Sequence, residues 1–341
     1  MKNMSVTAKE IAKKLGLSAT AVSMALNNKA GVSNKTRQLV IKTAEEEGYD
    51  FSKIKSNEEI NGSIFVVFYK TSNAILSYTP IFDELYEGIK GECNKKKIKT
   101  RLIQFNEKTD DLDICFSDIR GGDCLGIILV GTEIKKEICE KFINLNFPIT
   151  LLDSYFESLP CNSVLINNRQ GAYTATDFLI GISASQPGYL KSSYPIYNFS
   201  AREEGYFQAI KENGFSKSRS IIHSLSPSIE DAMADMLELL DDGVKTAKCY
   251  FADNDVIAIG AMKAFKLRGF RIPEDISIVG FDNISEGKII EPGLTTMDVP
   301  RLFIGQSAAD RLIKQIETKS FHSSKLEINT KLIKRFSHSL N

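Results

Sequence analysis

The sequence predicts an α/β protein, in which a small all-helical head precedes a long body of two doubly wound parallel-sheet lobes. Three observations predict it. Short helices with cap residues crowd the first fifty positions. From Ile64 onward, short apolar runs alternate with amphipathic stretches. That alternation comes as two series of roughly a hundred residues each, within the usual span of a domain. At 341 residues the chain has room for two or three domains with substantial cores.

The head is read first. Thr7-Ala-Lys-Glu10 forms a capping box, a hydroxyl to cap with a Glu three residues on to reach back. Ala8, Ile11, Ala12 and Leu15 then recur at helical spacing until Gly16. Ser18 caps a second helix after a tight turn, which makes a helix-turn-helix, and Ser33 caps a third that stops at Gly48. At 100° per residue, Ala19, Val22, Ala25 and Leu26 share one face of the second helix. Thr20, Ser23, Met24 and Asn27 share the other. A face of small polar side chains and one thioether lets a helix sit deep in a major groove. Basic and acidic residues balance at 43 each, yet residues 1–44 carry eight basic side chains against Glu10 alone, a local charge of +7. A basic head on a mildly acidic body points to a polyanionic partner for the head, and that partner is duplex DNA.

The segment "VTAKEIAKKLGLSATAVSMALNNKAGVSNKTRQLVIKTAEEEGY" resembles the headpiece of the lactose-repressor (LacI) family. The likeness lies in T-x-x-x-I-A, G-L-S, V-S-x-x-L-N and V-S-x-x-T-R, with G-Y at the end. It implies that Ala19, Thr20, Ser23 and Met24 face bases, and that Thr7, Ser18, Asn27, Ser33, Lys35, Thr36 and Arg37 lie near phosphates. Met24 stands where the family usually has Arg. A thioether offers apolar contact, for instance to a thymine methyl, in place of a bidentate contact to guanine. Where family members carry an A-R-x-L hinge whose Leu wedges into the minor groove, this chain has "DFSKIKSNEEINGS" with Glu58 at the expected place, an atypical linker.

In the body, the first series of runs reads Ile64-Phe-Val-Val-Phe, Arg101-Leu-Ile-Gln-Phe, Leu125-Gly-Ile-Ile-Leu-Val and Ile149-Thr-Leu-Leu-Asp. The second reads Val164-Leu-Ile-Asn, Gly188-Tyr-Leu, Ile221-Ile-His, Cys249-Tyr-Phe-Ala and Ile276-Ser-Ile-Val-Gly-Phe-Asp. Ligands of open parallel sheets bind beyond the carboxyl ends of the strands, so two facing lobes make a cleft. Asp282 ends its strand and Asp255 opens the helix after Cys249-Tyr-Phe-Ala, which places both carboxylates toward that cleft; a helix N-cap is the other reading of Asp255. Arg202 opens a helix, where a guanidinium could pair with ring hydroxyls, a carboxylate or a phosphate, or serve a structural salt bridge.

The resemblance continues through residues 251–300, "SAREEGYFQAI" and "TPIFDELYEGI", and is poor over 181–199. It implies a periplasmic-binding-protein-like effector domain. It also implies Phe251 as a stacking aromatic and Tyr78, Ile81 and Gln170 as further effector contacts. The expected organisation is a headpiece at 1–50, a linker at 51–61, and an effector-binding and dimerisation domain at 62–341. The first lobe then takes about 62–161 and 292–321, and the second about 163–290 and 322–341.

No phosphate-cradling Gly motif follows a strand, no GxSxG elbow occurs, and the histidines His223, His322 and His338 are scattered. No enzyme activity, cofactor or metal is expected. Cys93, Cys115, Cys124, Cys139, Cys161 and Cys249 form no CxxC pair and read as reduced, buried thiols. With no signal-peptide pattern or membrane span, a cytoplasmic protein is expected. The C-terminus adds no Leu heptad, which suggests a homodimer reading a pseudo-palindromic operator. The resemblance implies a transcription regulator, in the main a repressor, controlled by a small molecule for which a sugar or sugar derivative is the commonest class. The alternatives are a regulator controlled by a phosphorylated carrier protein docking near Arg301, and a solute-binding protein with a vestigial headpiece.

Overall fold

The computed structural model describes residues 6–26, 32–49, 62–71, 79–319 and 322–339. Asn27, Tyr78 and the linker at 51–61 lie outside them, as do the side chains of Lys35 and Ile81. The chain divides into two compact units, 1–60 and 61–341.

The first unit is built on α1 (Ala8–Leu15), α2 (Ala19–Leu26) and α3 (Asn34–Glu46). Each start is capped as the sequence predicts. Thr7 Oγ1 accepts from the Glu10 N–H at 3.4 Å while Glu10 Oε2 accepts from the Thr7 N–H at 2.6 Å. Ser18 and Ser33 accept from the N–H groups of Ala21 and Thr36. Gly16 ends α1 at φ 64°, a left-handed backbone that a side chain would strain, so the chain turns at once into α2. Ile11, Ala12, Val22, Ala25, Leu26, Val40 and Ala44 form the core. Ala19, grouped by periodicity with the apolar face, is instead exposed, because the core begins a turn later, at Val22.

The second unit contains two six-stranded sheets. In the first lobe β1 (Ser63–Lys70), α4 (Thr79–Lys95), β2 (Lys99–Asn106), α5 (Leu112–Gly121), β3 (Cys124–Val130), α6 (Lys136–Ile143), β4 (Ile149–Leu152) and β5 (Asn162–Ile166) follow in order. α7 (Asn168–Ser183) leads into the second lobe, where β6 (Gly188–Ser192), α8 (Tyr197–Glu212), β7 (Ile222–Leu225), α9 (Ile229–Asp241) and β8 (Cys249–Ala252) come next. α10 (Asp255–Leu267), β9 (Ser277–Asp282), α11 (Glu286–Ile289) and β10 (Thr295–Asp298) complete that run. The chain then returns through α12 (Arg301–Thr318) to β11 (Lys325–Ile328), and ends with β12 (Lys331–Ile333).

The strand orders are β2-β1-β3-β4-β5-β11 and β7-β6-β8-β9-β10-β12. All pairs are parallel except β10 with β12. Central β1 is buried from Ser63 to Tyr69, whereas edge β2 is mostly open, as a parallel sheet covered on both faces requires only of its inner strands. α12 packs on α4 backbone to backbone at Gly88 and Gly305. A Cβ on either glycine would overlap a carbonyl of the other helix.

Three lobe assignments made from the sequence need correction. β5 belongs to the first sheet, pairing β4 and β11, although its apolar run opens the second series in the sequence. β10 joins the second sheet, although residues from 292 were given to the first lobe. The C-terminal strands divide between the sheets rather than both completing the second. An apolar run states that a strand exists; pairing with distant segments decides which sheet it joins. The chain therefore passes between the lobes three times, after β5, after β10 and after β11. Asn167 Nδ2 donates to Asn329 Oδ1 at 2.9 Å, which ties the first passage to the third.

All six cysteines are free thiols, five of them buried and Cys124 half-buried. Burial pushes the Cys93 thiol up to about 12 and that of Cys115 to about 11, which keeps them protonated and unreactive. Among the described residues no helix is long and apolar enough to cross a membrane.

Candidate functional site

Two surfaces bear on function, one in each unit. In the first, α2 exposes Ala19, Thr20 and Ser23 along one side with Met24 half-exposed beside them, while Val22, Ala25 and Leu26 are spent on the core. The hydroxyl of Thr7 is fully engaged in its cap, accepting from Glu10 N–H and donating to the Glu10 carboxylate at 2.9 Å. The Ser33 and Thr36 hydroxyls share a hydrogen bond of 2.8 Å, and Arg37 is half-buried beside them on α3. The outward groups of α2 are thus three short side chains with one thioether beside them.

In the second unit a cleft of roughly 890 Å³, counted to its mouth, lies between the lobes at the carboxyl ends of their strands. Its centre is Arg202, 3% exposed. Gly205, one turn further along α8, allows α8 to touch the α7 backbone at Arg169, which brings Arg202 against the start of α7. Arg202 Nε donates to Asn168 Oδ1 at 2.8 Å and one terminal nitrogen to Asp282 Oδ1 at 3.2 Å. The other terminal nitrogen donates to the carbonyl of Asp253. The guanidinium lies 3.7 Å from the centre of the Phe281 ring, a cation–π contact.

From Arg202 a polar chain runs across to the opposite lobe. Asn168 Nδ2 donates to Asn198 Oδ1 at 2.9 Å, and Asn198 Nδ2 to Asp153 Oδ1 at 3.0 Å. Asp153, just past β4, also accepts from the Thr132 hydroxyl at 2.6 Å. Loss of water pushes its carboxyl up, against the pull of Thr132, Asn198 and Arg202. Arg301 on α12 makes a second crossing, donating to the Asp282 carbonyl and pairing with Glu84 at 3.6 Å. Asp153 and Asp282 occupy equivalent places, each at the end of the fourth strand of its lobe. Both hold positive φ, 65° and 105°, where the backbone swings out of the sheet and Asp is better tolerated than most residues.

The comparisons with known proteins follow this division. Residues 7–51 match the model for bacterial regulatory proteins of the lacI family, and residues 190–338 match the model for the periplasmic-binding-protein-like domain. The chain carries a lacI-family DNA-binding domain ahead of a periplasmic-binding-protein-like domain. Its similarity to the ribose operon repressor of Halalkalibacterium halodurans is 29% identity over 332 residues, 96% of each chain. To the transcriptional repressor PurR of Mannheimia succiniciproducens it is 25% over 331 residues, 96% of this chain and 97% of that one. A LacI-family regulator from Enterococcus faecium, solved with bound ribose, superposes with a TM-score of 0.68 at 26% identity, covering 81% of this chain and 98% of that one. This chain is a DNA-binding transcriptional regulator with a small-molecule effector domain.

Among the effector residues predicted from the sequence, the structure brings Arg202 and Asp282 together in the cleft. Others it places elsewhere. Phe251 is fully buried in the second sheet, stacked on Tyr189 at 5.6 Å, because every residue of β8 faces core on one side or the other. Gln170 is occupied at the lobe passage, accepting from the Thr330 N–H at 3.0 Å and donating to Thr174. Asp255 lines the cleft floor, but it is fully buried and each of its oxygens is already in one hydrogen bond. Oδ1 takes the Thr296 hydroxyl at 2.6 Å and Oδ2 takes the Ile284 N–H at 2.9 Å. Gly280 leaves the space for it, since a Cβ there would overlap Oδ1. Nor is Asp255 the cap of α10; Asn254 is, accepting from the Ile257 N–H at 3.0 Å. Burial pushes the Asp255 carboxyl up to about 7. Arg301, considered as a docking point for a protein partner, is buried against the cleft instead.

The sequence reading missed Asp153, Asn198 and Asn168. Asp153 had a signal, since it closes Ile149-Thr-Leu-Leu-Asp just as Asp282 closes its own strand. The two asparagines carried none, because their partners are 30 and 45 residues away in the chain.

Proposed function

We propose that this regulator acts chiefly as a repressor, two copies seating their α2 helices in a pseudo-palindromic operator, and that a small carbohydrate in the cleft sets operator affinity. The observation that carries the reading is the meeting of Arg202 and Asp282 with Asp153 across the cleft, through Asn168 and Asn198. A ligand placed there touches both lobes, so its binding free energy differs between lobe arrangements, which is what effector control requires. The ribose operon repressor at 29% identity and the ribose-bound neighbour at 26% support a pentose-sized sugar. Base contacts fall to Ala19, Thr20, Ser23 and Met24, with Thr7, Ser18, Asn27, Ser33, Lys35, Thr36 and Arg37 along the phosphates. Arg202 and Asp282 hold the effector, with Tyr78 and Ile81 as further contacts implied by the family resemblance. The chain is a binding protein and not an enzyme, since the polar side chains of its cleft satisfy one another instead of flanking a reacting bond. It works as a homodimer in the cytoplasm, where its operator is.

The test is selection of duplexes from a random pool with the full chain, followed by titration of the selected operator complex with D-ribose. A two-half-site sequence is expected, lacking the family's usual guanine opposite Met24 and preferring thymine there, with complex stability moved by the sugar. Failure to enrich any duplex would sink the regulator reading.

A further inference from the structure

Among the described residues the cleft has two guanidinium groups, and both are paired within the protein. Arg202 gives its Nε to Asn168, one terminal nitrogen to the Asp253 carbonyl and the other to the Asp282 carboxylate, while Phe281 covers one face of the group. Arg301 is spread between the Asp282 carbonyl and Glu84. Against these stand three carboxyl groups in the lining, Asp153, Asp255 and Asp282. Two helix starts in the lining, those of α8 and α12, have no side-chain cap, and α12 opens on Arg301, already paired with the Asp282 carbonyl and Glu84. Asn198, the second residue of α8, already holds the Asp153 carboxylate at 3.0 Å, so that helix start faces a negative group of the opposite lobe.

Resting on the carbohydrate reading above, we infer that the effector carries neither a phosphate nor a carboxylate group, because among the described residues every cation of the cleft is already paired with a carboxylate, and the lining carries three carboxyls. A phosphate entering the cleft would have to displace Asp282 from Arg202 or Asp153 from Asn198, and would leave that carboxylate unpaired in a poorly hydrated space. A hydroxyl does neither. It donates to a carboxylate oxygen and accepts from an amide, so a neutral polyol joins the existing network without breaking an ion pair.

Thermal-shift and calorimetric titrations of the full chain at pH 8 distinguish the cases. The probes are D-ribose against D-ribose 5-phosphate and D-ribonate, and D-glucose against D-glucose 6-phosphate. The expected result is that a neutral sugar binds and its charged derivative binds about a hundredfold more weakly, the size of effect that like charges in contact produce. In Asp153→Asn that discrimination is expected to shrink, since the carboxylate at the start of α8 has gone while the Asn198 contact can persist. Tighter binding of either phosphate or of ribonate overturns the inference and leaves the carbohydrate reading standing. An undiminished discrimination in Asp153→Asn also overturns it, since the cleft charges would then not be the cause. If no probe of either kind binds while operator binding is intact, both the inference and the carbohydrate reading fall.

Discussion

The exposed side of α2 and the floor of the cleft solve recognition in opposite ways. On α2 the exposed residues lie side by side in sequence: Thr20 and Ser23 are on the outer side of a helix whose other side is spent on the core. In the cleft no residue acts alone. Arg202 is held by groups 34, 51 and 80 positions away, and its charge is shared before any ligand arrives. The difference teaches that a surface meant for a large, rigid polyanion needs shape and little pre-organisation. A site for a small ligand needs its polar groups fixed in advance, and the groups that fix them are as much part of the site as those that touch.

That contrast can be broken most violently from the α2 side. Val22→Asp places an unpaired charge at a fully buried position of a small core, a cost of about 4 kcal/mol or more, beyond what so small a unit can absorb. Operator binding is expected to vanish while sugar binding and the melting of residues 61–341 stay unchanged. A calorimetric scan with ligand titration checks both; loss of sugar binding would mean that the two units do not fold separately.

Arg202→Lys sharpens the contrast from the other side. An ammonium cannot reproduce three directed donors, so Asn168 Oδ1 and Asp282 lose their partner, at a cost of about 3 kcal/mol. The body is expected to melt earlier and to lose effector response, with the selected operator sequence unchanged. Unaltered melting would show that the arginine is merely a ligand contact.

The smallest effect is a pH dependence confined to the body. Asp255 has its folded pKa raised to about 7, so the protonated form is favoured on folding. Its contribution to stability is complete below about pH 4, where the unfolded carboxyl also protonates, and is lost as pH rises through about 7. Asp255→Asn removes that slope, so the stability advantage of the natural chain over the variant should narrow between pH 4 and pH 7. Denaturant midpoints across that range measure it, and an advantage that widened with pH would contradict the assignment.

How far the sequence reveals each site follows from the same contrast. The capping box at Thr7, the turn at Gly16 and the buried trio Val22, Ala25 and Leu26 are set by residues within a few positions of one another, where periodicity and cap chemistry operate. Ala19 departs from its periodic face only because the helix begins before its partners do. In the body, strand positions follow from apolar runs, but the sheet to which β5, β10 and β11 belong depends on pairing with segments far away. Asp255 shows the limit most clearly. A carboxylate beyond a strand end has the look of a ligand contact, and only the Thr296 hydroxyl and Ile284 N–H reveal that it is already satisfied. Phe251 and Gln170 were carried over by resemblance, which transfers a position in the chain but not the direction of a side chain.

The three passages of chain between the lobes have a mechanical consequence. Two bodies joined by one thread can swivel, slide and part. Joined by three, the first and third cross-tied by Asn167 to Asn329 and by Gln170 to Thr330, they have fewer ways to swivel, slide or part.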